Sequence, residues 1–187
     1  MQPESKAGPG CPVFLTGMMG AGKSTLAPLL AARWRADWVD LDVRVERVFG
    51  ASIAQLFARG EGVFRRLEGV ALRSLLREPG VRGRTLVVAT GGGVVIDPEN
   101  RGAMASAGVV VYLHVPAEAL ARRLVRSGAL GNRPLLGGTL TAVQDRMTEL
   151  LARRSSLYAA AQVTVDASGT PDECVTRLVR ALETLHS

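Results

Sequence analysis

Short apolar runs alternate along the chain with longer stretches in which apolar residues recur every three or four positions. Pro12 to Thr16 is such a run, ends at Gly17 and predicts a buried parallel strand. Ser24 to Arg35 predicts a helix with Leu26, Leu29, Leu30 and Trp34 on one face and Pro28 tolerated in its first turn. Asp37 to Leu41 reads as a second strand. Val43 to Phe49, Ser52 to Arg59 and Gly62 to Arg77 follow as helices, broken at Gly50 and Gly60. Thr85 to Thr90 is a third strand running into Gly91, Gly92 and Gly93. Pro98 to Ala107 is a helix ending at Gly108, Val109 to Val115 a fourth strand, and Pro116 to Arg126 a helix. The Gly- and Pro-rich stretch 127–138 reads as a loop. It leads to a helix from Leu140 to Ala160, a fifth strand at Val163 to Val165, and a closing helix from Pro171 to Leu185. Strands alternating with helices imply a parallel sheet covered on both faces, which binds ligands at the carboxyl ends of its strands.

Composition narrows this picture. The 187 residues suit one domain able to bury a core, and aromatics at 4% leave that core to Ala, Leu and Val. The net charge is +6, yet the only lysines are Lys6 and Lys23; the arginines are scattered and few aromatics lie among them. That pattern argues against nucleic acid and for small anionic ligands. Cys11 and Cys174 lie far apart without CxxC spacing, so neither a zinc site nor a redox pair is implied. Residues 1–10 read as a flexible lead-in to a single domain over 11–187. With no signal-type or membrane-spanning segment, a cytoplasmic protein without membrane partners is expected.

Two motifs carry the chemistry. Gly17-Met18-Met19-Gly20-Ala21-Gly22-Lys23-Ser24-Thr25 matches GxxxxGK[ST] between a predicted strand and a predicted helix. Glycines let the backbone wrap phosphates, and the helix adds the positive end of its dipole. Gly20, Ala21, Gly22 and Thr25 then line the phosphates of ATP, Lys23 bridges the β- and γ-phosphates, and the Ser24 hydroxyl binds Mg²⁺. Asp40-Leu41-Asp42 follows. Read as extended, it points both carboxylates the same way, one to hold Mg²⁺ and the other to accept a proton from, or orient, an attacking hydroxyl.

Further along, Gly60-Glu61-Gly62-Val63-Phe64-Arg65-Arg66-Leu67-Glu68 resembles the GExxFRxxE segment of the shikimate kinases. The triplet Gly91–Gly93 resembles their glycine run, Arg133-Pro134-Leu135-Leu136 their lid motif, and Arg154 with Tyr158 their RxxxY segment. Together with the phosphate loop and DxD, these motifs run in the family's order from Gly17 to Tyr158.

The resemblance implies a three-layer α/β/α sandwich of the nucleoside-monophosphate-kinase type, a P-loop NTPase with a five-stranded parallel sheet in order 2-3-1-4-5. Substrate-binding helices would lie within about 43–76 and a lid within about 126–138. It also implies MgATP-dependent phosphorylation of the 3-hydroxyl of shikimate, a step toward the aromatic amino acids, by a monomer. Asp40 then stands on the Mg²⁺ side, and Asp42 binds the substrate hydroxyls and is base or orienting group. Arg65 and Arg154 pair with the substrate carboxylate, while Gly92 and Gly93 meet a hydroxyl through their backbone. Arg133 reaches from the lid to both substrates, and Arg122 lies against the adenine, with neighbouring Arg123 as the alternative. Read apart from the resemblance, Glu61 and Glu68 are surface residues, Glu68 placed to brace Arg65; Phe64 is core and pocket wall, and Tyr158, His114 and His186 are structural. Leu41 stands where the family has a small polar residue, and the loop 166–169 matches only loosely. Two other readings are a gluconate-kinase-like enzyme on the same fold and a nucleotide-binding protein without turnover. The first would not need the GExxFRxxE, glycine-triplet and RPLL set; the second would be expected to lose DxD carboxylates or lid arginines, whereas Asp40, Asp42, Lys23, Arg65, Arg133 and Arg154 are all present.

Overall fold

The computed structural model describes residues 8–127 and 139–185. Most of the lead-in and of the expected lid, Arg133 included, lies outside the described residues. Five parallel strands, β1 (Pro12–Thr16), β2 (Asp37–Asp40), β3 (Leu86–Ala89), β4 (Val109–His114) and β5 (Val163–Asp166), form one sheet in order β2-β3-β1-β4-β5. In the central strand, Phe14 pairs with Val88 on one side and Val110 on the other. Buried on both faces, β1 and β3 are wholly apolar apart from Thr16, which explains why they read as continuous apolar runs.

Crossover handedness assigns the layers. From β1 the chain moves across β3 to β2 through α1 (Lys23–Trp34); every later crossover moves the opposite way. Since such crossovers are right-handed, α1 lies on one face. On the other lie α2 (Leu41–Phe49), α3 (Ile53–Ala58), α4 (Glu61–Arg77), α5 (Pro98–Ala107), α6 (Ala117–Arg126) and α7 (Leu140–Ala159). The closing helix α8 (Pro171–Thr184) packs beside α1. The expected order and layering therefore hold.

Three local expectations change. The buried stripe of α1 is Leu26, Ala27, Leu30, Ala31 and Trp34, while Leu29 is exposed. Ala27 and Ala31 sit on the inward face, and Leu29 is turned away from it by the helical rotation. Pro28 lies in the second turn, so the helix forgoes one internal hydrogen bond there. Finally, the DxD segment is not extended. Strand β2 stops at Asp40, and α2 starts at Leu41, which is fully buried. The Asp40 side chain accepts from the amides of Asp42 (2.9 Å) and Val43 (3.4 Å), a cap that converts strand to helix in one residue. The carboxylates thus stand at a strand-to-helix corner rather than two apart along a strand. Cys11 and Cys174 are both free thiols, and burial pushes each above its ordinary pKa.

Candidate active site

The phosphate loop joins β1 to α1 at the carboxyl end of the central strand. Gly17, Gly20 and Gly22 have φ of 139°, 81° and 97°, a region that side chains disfavour, so glycine is required for this path. Helices α2, α3, α5, α7 and α8 are capped by side chains, but α1 opens on left-handed Gly22 with no side-chain cap and no acid in its first turn. Its N-terminal amides are left to an anion. Lys23 is buried, and its Nζ donates to the carbonyls of Gly17 (2.8 Å) and Met18 (3.0 Å), which fold the side chain back over the loop.

The glycine triplet packs against this loop. A Cβ on Gly92 would stand 3.3 Å from the Met19 amide nitrogen and 3.5 Å from the Gly17 carbonyl oxygen. On its other side the triplet carries the acceptor residues. A Cβ on Gly91 would lie 2.1 Å from Glu68 Oε1 and 3.1 Å from Asp42 Oδ1, and one on Gly93 would lie 2.2 Å from Arg65 Cζ. The triplet is therefore glycine because Glu68, Asp42 and Arg65 occupy the space that side chains would take.

Arg65 is held from three directions. It donates to Glu68 Oε2 (2.9 Å) and Glu61 Oε1 (3.1 Å), and its guanidinium lies 5.2 Å from the Phe64 ring centroid and 5.5 Å from that of Phe57. The two rings stack at 4.2 Å. Glu68 is fully buried, not a surface residue, and burial raises its pKa against the opposing pull of Arg65. Its second oxygen, Oε1, is buried without a hydrogen-bond partner. From α7, the Tyr158 hydroxyl donates to the Gly92 carbonyl, and its ring stacks on Tyr112 at 5.0 Å. Burial pushes the Tyr158 pKa up to about 12, so the hydroxyl keeps its proton, and the Arg154 guanidinium lies beside it.

The sequence profile described as "Shikimate kinase" matches residues 19–183. The shikimate kinase of Nitratidesulfovibrio vulgaris is 42% identical over 173 residues, spanning 92% of this chain and 95% of its own. The chain belongs to the shikimate kinase family. The structure of shikimate kinase from Acinetobacter baumannii in complex with shikimate superposes with a TM-score of 0.82 at 32% identity, covering 94% of each chain. A gluconokinase from Sinorhizobium meliloti, at 16% identity and a TM-score of 0.60 over 96% of this chain and 95% of its own, shares the fold alone.

Against that family frame, the structure gathers Asp42, Arg65, Gly92, Gly93 and Arg154 around one site beside Lys23. The two arginines expected near the adenine point in different directions. Arg122 pairs with Glu118 on the exposed face of α6. Arg123 instead points inward, donating to the carbonyls of Ala167 (2.8 Å), Gly169 (3.4 Å) and Gly20 (3.5 Å). It lines a cleft with Gly22, Thr25, Gly169 and Pro171. Successive helical residues point about 100° apart, so only one of the pair can face the cleft. Three residues that the sequence left structural or secondary stand among these groups: Glu68 and Tyr158 against the triplet and Arg123 at the cleft. Glu68 and Tyr158 close the GExxFRxxE and RxxxY segments and Arg123 was the alternative to Arg122, but nothing in the sequence showed how deeply Glu68 is buried or what Tyr158 touches.

Gly93 gives a direct check. Its φ of −111° is open to alanine, so Gly93→Ala carries no backbone strain. The new methyl would displace the mobile end of Arg65. The expected outcome is shikimate KM raised about tenfold or more, the scale of a lost charged hydrogen bond, with Tm lowered only as far as Arg65 is pushed off buried Glu68. Steady-state kinetics beside a thermal melt would check it.

Proposed function

We propose that this protein transfers the γ-phosphoryl group of ATP to the 3-hydroxyl of shikimate, giving shikimate 3-phosphate and ADP. The observation that carries this reading is the contiguity of the two half-sites: the glycine triplet touches the phosphate loop on one side and Asp42, Glu68 and Arg65 on the other. Donor phosphate and acceptor hydroxyl bound to these surfaces meet without a gap for water, as phosphoryl transfer needs.

Arg65 and Arg154 take the substrate carboxylate, for which planar guanidinium groups are matched. Asp42 binds the ring hydroxyls and orients the attacking one or accepts its proton, while Glu68 Oε1 offers an acceptor in the same space. Lys23 leaves the Gly17 and Met18 carbonyls to bridge the β- and γ-phosphates. The α1 amides, with Gly20, Ala21, Gly22 and Thr25, cradle the phosphate chain. Arg123 replaces Arg122 as the residue beside the base, and Arg133, outside the described residues, remains the lid group that closes on both substrates.

Mg²⁺ fits the donor set. Among the described residues no group of three or more His, Cys, Asp or Glu could hold a metal by itself. Ser24 at the head of α1 and Asp40, whose Oδ1 alone makes the cap, supply the few hard oxygens with which proteins hold Mg²⁺ alongside phosphates and water. When bound, the ion neutralises charge on the phosphate oxygens. No described helix is long and apolar enough to cross a membrane. The reading keeps a cytoplasmic monomer whose partners are shikimate and ATP.

ADP release from purified protein with MgATP, measured with shikimate, with gluconate and with no acceptor, tests the reading. Release that depends on shikimate supports it. Release with gluconate but not shikimate overturns the substrate, and release with neither overturns the kinase assignment.

A further inference from the structure

A buried tyrosine hydroxyl needs a partner, and the partner that Tyr158 takes is the backbone of the acceptor site. Its ring is 1% exposed and already anchored by the near-parallel stack on Tyr112, with 6° between the ring planes. Its hydroxyl is nonetheless directed at the carbonyl of the middle residue of the glycine triplet. That carbonyl and the Gly93 N–H belong to one peptide unit. The chain has no cis peptide among the described residues, and a trans unit carries its C=O and N–H on opposite sides. Pinning the Gly92 oxygen therefore fixes the ψ of Gly92 and the direction in which the Gly93 N–H points.

The triplet cannot supply this restraint itself. Gly91, Gly92 and Gly93 carry no side chains because Glu68, the phosphate loop and Arg65 stand against them. The Gly91 and Gly93 carbonyls accept from the amides of Val94 (3.2 Å) and Ile96 (3.0 Å), whereas the Gly92 carbonyl between them is held by Tyr158. Tyr158 also sits on α7 one turn beyond Arg154, and residues four apart share a helix face. Locking the Tyr158 hydroxyl to the triplet thus sets the height of α7, and with it Arg154, relative to Arg65 on α4.

We propose that Tyr158 is a positioning residue for the acceptor: its hydroxyl fixes the Gly92–Gly93 peptide and holds Arg154 in register with Arg65, so that the carboxylate clamp and the backbone contacts match one substrate at one separation. The proposal rests on the shikimate reading above. It assigns function to a residue whose sequence signal pointed only to packing.

Tyr158→Phe removes the hydroxyl and keeps the ring. The hydroxyl bonds both the Gly92 carbonyl and the Arg154 side chain, so the expected result is a rise of about tenfold or more in shikimate KM, with MgATP KM within about twofold. In an Arg154→Ala background the same substitution should add much less than it does alone, because both changes act through one clamp. All kinetics are taken at a temperature where each variant is shown folded by circular dichroism. A lower Tm with wild-type shikimate KM would assign Tyr158 to packing alone and overturn the proposal. So would parallel loss toward both substrates, or full additivity with Arg154→Ala. Wild-type protein that does not turn over shikimate would instead remove the reading beneath it, an outcome visible before any variant is made.

Discussion

Asp42→Asn is expected to lower shikimate-dependent kcat by about 10²–10⁴-fold, the range for loss of a positioned general base, while MgATP still binds. The substitution keeps the shape of the side chain and removes its charge and basicity. Asp42 lies in the first turn of α2, whose cap belongs to Asp40, so the helix start survives. A carboxylate near a helix N-terminus contributes only about 0.3–1 kcal/mol, too little to unfold the corner. Asp42 faces the same point as Glu68 beside Gly91, so its loss leaves a second carboxyl nearby but not in its place. Rapid-quench measurement of the chemical step, with fluorescent-nucleotide titration for binding, checks the prediction. A kcat within threefold of wild type would show that Asp42 neither takes the proton nor orients the hydroxyl.

Arg65→Ala is expected to act twice. Toward substrate it removes one arm of the carboxylate clamp, and shikimate KM should rise about 100-fold with ATP KM nearly unchanged, as for lost charge-assisted hydrogen bonds. Toward the fold it takes away the ion-pair partner of a fully buried carboxyl, Glu68. The sign of the pH effect follows from linkage. Burial raises the folded pKa of Glu68 above its ordinary value, so its contribution is fully present below about pH 4.5 and is lost as pH rises through the folded pKa. Arg65 opposes that shift; without it the folded pKa climbs further and the loss grows with pH. The Tm deficit of Arg65→Ala should therefore be small near pH 5 and widen toward pH 8. There it corresponds to about 3 kcal/mol, the lower end for breaking a buried pair because Arg65 is itself partly exposed. Adding Glu68→Gln should flatten the dependence. Melting curves across that range decide it, and a deficit independent of pH would mean that Glu68 is not ionised beside Arg65.

Much of the fold was legible because its signals are local. Buried parallel strands must be apolar along their whole length, so β1 and β3 announced themselves. Helix stops at Gly50, Gly60 and Gly108 are set by backbone chemistry within a few residues. The phosphate loop was equally plain, since its glycines, Lys23 and Ser24 are consecutive and each meets a local requirement. The DxD segment shows where local reading ends. A two-residue spacing suits an extended pair, but Asp40 caps a helix, and whether a side chain caps or lies along a strand depends on where the chain turns.

The sequence by itself therefore determined the parallel sheet, the phosphate-binding loop, and the family to which the acceptor motifs belong. Each is written in residue types at short spacing. Only the tertiary structure decided which side chains share a space. Glu68 and Arg65 meet Gly91 and Gly93 across more than twenty residues of chain, Tyr158 reaches Gly92 from a helix sixty-six positions away, and Arg123 rather than Arg122 faces the cleft. Those facts depend on how α4, α6 and α7 rotate as they pack on the sheet. That rotation is set by the sum of many small apolar contacts, and no single residue carries it.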